Sequence, residues 1–226
     1  NTANVAVLST GNLRALATDR VRALATSQVA SLTTVQAASL STSHLTTLST
    51  AQVLALRTDD LVALASNQIR ALLTSQAAAL STDQFSALGT GQIAVLTTDQ
   101  AYALGTGQLV ALTVDQAAAI TTAGLVALQG SQLAALETAD VAVLNSSLLR
   151  VLNTAQINAL RTDELVALTT LQIQGLSTTN ANALSTAQIV AFETADLASF
   201  STANIRALST RQATALTSTQ ILALGT

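Results

Sequence analysis

The sequence predicts an all-α solenoid of about 28 octapeptide repeats, each a very short helix followed by a tight turn. Three observations carry that prediction. Leu88, Leu96, Leu104 and Leu112 stand eight residues apart, with Gln92, Gln100 and Gln108 midway between them. The phrase around them, L-[S/T]-T-x-Q-[I/V/L/A]-x-A, fills the whole chain. The apolar residues also fail to alternate with polar ones, as a half-buried strand would require.

With the octad lettered a to h from Asn1, 28 complete octads run to Leu224 without insertion or deletion. Position h is Leu in 25 of them, the exceptions being Ile120, Phe192 and Phe200. Position e is apolar throughout, from Val5 to Ile221. Both are predicted core. Position g is small, mostly Ala, which suits close approach of neighbouring backbones. Position f is mixed and holds Arg14, Arg22, Arg70, Arg150 and Arg206, so it is predicted to face water. Position d is Gln in 16 octads and b is Thr in 23.

Ala, Leu and Gln favour helix, and Thr-Asp or Ser-Thr pairs recur as start signals. One continuous helix fails, because eight residues advance it about 80° past two full turns and the Leu row would spiral around it. Many helices of five or six residues joined by turns of one or two are the consistent answer. Burying the e and h side chains offsets at most about half the entropy cost of ordering eight residues. Each octad must therefore be stabilised by its neighbours, as in other solenoids. Two octads per superhelical turn is the expected geometry, with three as the alternative.

Two registers are open for the cap. Position b, the more uniform, is the expected N-cap, with Asp at c (Asp19, Asp59, Asp83, Asp99, Asp115, Asp163) in the first turn near the positive helix end. Gly89 and Gly105 then fall at the C′ position. With a as the N-cap, Ser or Thr at a and Gln at d form a capping box, as in Ser81-Thr82-Asp83-Gln84. In either register Gln at d is expected to bond the backbone of a neighbouring turn, since short helices leave many peptide groups unpaired.

Longer echoes run through the array. RTDDLVAL at 57 returns as RTDELVAL at 161, and ETADVAVL at 137 as ETADLASF at 193. The octads read as interchangeable parts of one uninterrupted repeat domain over residues 1–226, cut from a longer array. Composition narrows function further. Half the residues are hydrophobic but only four are aromatic, and Pro, Cys, Met, Trp and Lys are missing. Nine Arg and twelve acids, singly scattered, give no polyanion-binding surface, so nucleic acid is not an expected partner. Apolar runs are too short for a membrane span.

LTTDQAYAL at 96–104 resembles the first helix of the repeats in transcription-activator-like effectors, which read roughly LTPxQVVAIA. The Pro of that motif is Thr throughout this chain, and neither the second helix nor the base-reading loop is present, so DNA reading is not implied. Over its whole length the chain is similar to the short LTTAQ-type tandem arrays of large bacterial proteins. That resemblance implies a bacterial parent and a secreted or cell-surface setting.

No catalytic, cofactor-binding or metal site is predicted. His44, the lone histidine, replaces Gln at d and reads as a tolerated polar substitution. Asp59-Asp60 and Asp163-Glu164 are adjacent acids whose side chains diverge on a helix, and they read as caps and solvated charge. Tyr102 at f is an exposed contact candidate. The glycines at 89, 91, 105 and 107 lack the Lys and strand of a phosphate loop. Residues 121–152, with Gly124, Gly130 and Leu148 off consensus, are the least regular stretch and a candidate bend or patch. The expected function is a spacer, stalk or scaffold segment. A protein- or glycan-binding solenoid using c and f is the alternative, ice binding by Thr rows a further one, and an enzyme ranks last.

Overall fold

The computed structural model describes residues 5–145 and 148–224. It contains 27 short α-helices, from Thr10–Arg14 to Ser218–Ala223, each four to six residues long, and no strands among the described residues. Almost every helix begins at position b, and links of two to four residues join them, somewhat longer than expected. The chain leaves each helix through extended backbone at h or a, as at Leu40 (φ −59°, ψ 136°) and Ser41 (φ −72°, ψ 161°). Such exits need no left-handed residue, and none is found among the described residues.

The N-cap is a, and the expected b register is corrected. Ser49, Ser81 and Thr97 all sit at a in the extended conformation with side chains accepting from the backbone N–H of d. Thr at b is instead the first helical residue. Gly89 and Gly105 are likewise N-caps, with φ of −72° and −75°, and not C′ residues. The variety at a misled because Ser or Thr there is only half of the cap. The other half is Gln at d, which also serves caps that have no polar side chain.

The chain divides into two compact units, residues 1–119 and 120–226. Within the first, Thr10–Arg14 packs on Thr34–Ser39, Thr18–Arg22 on Thr42–Thr47 and Thr26–Ala30 on Thr50–Leu54. Within the second, Gly130–Leu133 packs on Thr154–Ala159, Thr162–Val166 on Thr186–Ala191 and Thr178–Ala183 on Thr202–Ala207. Within each unit a helix lies against the one three octads on, so 24 residues complete a turn there. The expectation of two octads per turn is corrected to three. Three walls leave room at the centre for a ring of e and h side chains, which two could not enclose.

The core follows the octad. Leu45, Leu61, Ile157 and Ile189 at e are fully buried, and Leu32, Leu128 and Leu184 at h nearly so. Ile189 is 0% exposed whereas Ile221, the same residue at the same position, is 54% exposed. Ile189 has a helix stacked over it (Thr210–Ala215) and Ile221 has none among the described residues. Burial of e therefore depends on the next turn, as the solenoid argument requires. Position f faces outward, with Leu54, Val110 and Tyr102 all about half exposed. Gly130 at b answers to close packing: a Cβ there would stand 2.7 Å from the Cβ of Ala159 on the next turn. Of the irregular stretch, residues 146 and 147 and the side chain of Leu148 lie outside the described residues.

Candidate functional site

The repeated polar feature of the molecule is position d. Gln76 shows what it does. Its Oε1 accepts from the Leu73 backbone N–H at 2.7 Å, closing the cap of its own helix. Its Nε2 donates to the carbonyls of Leu45 (2.8 Å) and Leu48 (2.7 Å), which end a helix four octads earlier. Gln188 repeats the pattern with the Ser185 N–H at 2.8 Å, the Ile157 carbonyl at 2.9 Å and the Leu160 carbonyl at 2.8 Å. One amide thus satisfies an orphan N–H at one helix start and orphan carbonyls at another helix end. These amides are buried, and the bond from Nε2 to the carbonyl 28 residues back recurs in both units. The expected role of Gln at d, bonding a neighbouring turn, is what the structure has.

The slot ordinarily holds an acceptor and a donor, and most of its exceptions find substitutes, although Gly124 is buried at d with neither. His44 accepts from the Ser41 N–H through Nδ1 (3.4 Å) and meets the Leu16 carbonyl with Nε2 (2.9 Å). A carbonyl can only accept, so the proton sits on Nε2. The histidine is buried and stands in for glutamine. Asn204 reaches the Leu176 carbonyl at 3.1 Å, and Asn180 reaches the Leu149 carbonyl.

The paired acids separate. Asp59 and Asp163 at c are exposed, while Asp60 and Glu164 at d are wholly buried. Reading the d acids as solvated charge is corrected: each stands in the glutamine slot with an arginine at a. Asp60 accepts from the Arg57 N–H (3.1 Å), from Arg57 Nε (3.1 Å) and Nη2 (2.9 Å), and from Thr34 Oγ1 (3.1 Å). Arg57 Nη2 also donates to the Leu32 carbonyl at 2.9 Å, the place a glutamine Nε2 would take. Carboxylate and guanidinium together do the work of one amide. The signal was present in sequence as an Arg three residues before a d acid, in RTDD and again in RTDE.

In the second copy Glu164 accepts from the Arg161 N–H at 2.6 Å, and Arg161 Nη2 donates to the Leu136 carbonyl at 3.3 Å. The guanidinium leans outward to Asp163 (Nε to Oδ1, 3.1 Å) and also donates to the Ala134 carbonyl. Glu164 Oε1 is left 3.4 Å from Nη1 without a hydrogen-bond partner. Burial accordingly pushes the Glu164 carboxyl up, while the Arg161 hydrogen bond holds Asp163 below its ordinary range. Asp140 and Asp196, also buried at d, have Glu137 and Glu193 at a instead of Arg. Burial raises both carboxyls and the charges of Glu137 and Glu193 add to it, while the backbone N–H groups of the same glutamates oppose it.

Outside the slot, Thr154, Asn158, Thr178, Thr179 and Asn182, with Ala183 and Ala207, line an open groove in the second unit. Asn182 Nδ2 donates across it to the Ala207 carbonyl at 2.7 Å. Among the described residues no three His, Cys, Asp or Glu converge as metal ligands, and no helix is long and apolar enough to cross a membrane.

A family model described as the ALTTAQ repeat matches residues 5–42, 53–90, 133–170, 161–194 and 189–226, over most of the chain. No curated protein matches it.

Proposed function

We propose that this chain, which belongs to the ALTTAQ repeat family, is a non-catalytic structural module that serves as a spacer, stalk or scaffold segment in a larger bacterial protein. The observation that carries this reading is the use made of position d. The side chains best able to recognise a ligand are buried and committed to joining one turn to the next. The exposed c and f positions carry a scatter of small, aliphatic and charged residues. We also take residues 1–226 as one repeat domain, supported by an octad register that runs from Asn1 to Leu224 unbroken.

The second reading, a protein- or glycan-binding solenoid, is favoured by the Thr and Asn groove around Asn158 and Asn182. Alanine substitution of c and f residues, Thr179, Asn158 and Asn182 among them, separates the two. A spacer retains its helical circular dichroism and the parent protein retains its activity. A parent that loses a partner while its helices persist would establish the binding reading in its place.

A further inference from the structure

Two octads share the frame R-T-D-[D/E]-L-V-A-L, and their arginines take different acids. In residues 57–64 the guanidinium closes on the buried acid at d, with Arg57 Nε 3.1 Å from Asp60 Oδ2 and Nη2 2.9 Å from Oδ1. In residues 161–168 it turns to the exposed acid at c, with Arg161 Nε 3.1 Å from Asp163 Oδ1 and Nη2 3.4 Å from Oδ2. Glu164 is wholly buried, yet its Oε1 stands 3.4 Å from Arg161 Nη1 and makes no hydrogen bond.

The guanidinium is the donor in contention. Each acid of the second octad already has a backbone N–H, Asp163 Oδ1 that of Glu164 (3.1 Å) and Glu164 Oε2 that of Arg161 (2.6 Å). The helix beneath, Thr138–Val143, and the helix above, Thr186–Ala191, carry no cation. A buried carboxylate oxygen without a donor is costly, which draws the guanidinium inward. Asp163 draws it outward from a solvated position, where an ion pair is weak but open to exchange. The choice also reaches the neighbouring turn. Nη2 donates to the carbonyl 25 residues before the arginine, at 2.9 Å to Leu32 in the closed octad and 3.3 Å to Leu136 in the open one.

We propose that Arg161 is a two-position latch shared between Asp163 and Glu164. Outward, it holds the surface acid and its tie to Leu136 is slack. Inward, it closes on Glu164 as Arg57 closes on Asp60, and the tie shortens. Whatever takes Asp163 away from Arg161 at the surface therefore tightens the joint between turns beneath it.

The test is a double-mutant cycle on the full chain in urea unfolding, with Asp163→Ala and Glu164→Gln made singly and together. Both put in residues the repeat itself uses, Ala at c as in Ala155 and Gln at d as in Gln156. Two acids that share one donor cover for each other's loss. The double variant's folding constant should therefore fall below the product of the two single effects by about threefold or more, within the range of couplings between touching residues. Repulsion between the acids gives a departure of the same sign but does not need the arginine, so the cycle is repeated with Arg161→Ser, where the excess should vanish. Position is read by NMR on arginine-labelled chain: in Asp163→Ala the Arg161 Nε–H should gain Overhauser contacts to the Glu164 side chain. Additive effects, an excess that survives Arg161→Ser, or an Arg161 Nε–H that makes no new contact with Glu164 would overturn the proposal. Should a variant of the Arg161→Ser cycle fail to fold, the contacts in Asp163→Ala decide.

Discussion

Residues 57–64 and 193–200 put the same side chain in the same buried position and surround it oppositely. Asp60 meets Arg57, whose guanidinium neutralises it and carries the missing donor on to the Leu32 carbonyl. Asp196 meets Glu193, which adds charge and supplies no donor. The octads agree at b and at e and differ in the core at h, where one has Leu64 and the other Phe200. The comparison teaches that the unit of design is the pair a and d, not d alone. In most octads the pair presents one acceptor to the cap and one donor to the turn before, while Thr121 with Gly124 presents the acceptor alone. Glutamine supplies both in one residue and arginine with an acid does so in two, whereas glutamate with aspartate brings two acids and no donor.

The most damaging test of that rule removes the amide from an ordinary octad. Gln76→Ala leaves the Leu73 N–H and the Leu45 and Leu48 carbonyls without their side-chain partner in a buried site. Unsatisfied buried groups cost about 1–3 kcal/mol each, less where the chain can relax, so a loss of about 2–4 kcal/mol in urea unfolding is expected. A loss below about 0.5 kcal/mol, the range of an ordinary surface substitution, would make the glutamine slot incidental.

A smaller effect follows from exchanging the two partners at a. Glu193→Arg gives Asp196 the arrangement of Asp60, and should raise the thermal midpoint at neutral pH by about 2–4 °C, with less further gain on acidification. Arg57→Glu should do the reverse, lowering the midpoint at neutral pH and recovering part of it in acid. Equal responses at both sites, or none, would show that position a is a bystander. The intermediate case is 161–168, where the longer acid leaves Glu164 Oε1 without a hydrogen bond.

Much of this was legible in the sequence and some was not. The eight-residue period, the Leu row at h and the apolar e fixed the class of fold, because no other arrangement gives each octad a place to bury them. The number of octads per turn was hidden, since it depends on how many short walls enclose a ring of Leu and Ile, and composition is the same for two or three. The cap was misread for a local reason. Uniform Thr at b drew attention to b, while Leu73, Gly89 and Arg57 at a seemed unfit to cap. They are caps because Gln76, Gln92 and Asp60 at d accept their N–H groups. The buried acids were misread for the same reason, as the Arg at a could not be joined to the acid at d until the slot was known.

The smallest expected change is at His44, and it sharpens the rule most. If the slot recognises an acceptor and a donor and not a residue type, His44→Gln should shift stability by no more than about 0.5 kcal/mol, the range of a neutral exchange. Gln would take the Ser41 N–H with Oε1 and the Leu16 carbonyl with Nε2, as imidazole does through Nδ1 and Nε2. His44→Leu keeps the bulk and removes both functions, so it should lose well over 1 kcal/mol, the cost of stranding buried polar groups. The imidazole nitrogens report independently, since nitrogen-15 shifts separate the two neutral tautomers. The Nε2–H form is required by a carbonyl on one side and an amide N–H on the other. An Nδ1–H signal, or a leucine tolerated as well as glutamine, would mean that position d is filled by size alone, and the contrast between Asp60 and Asp196 would then lose its physical basis.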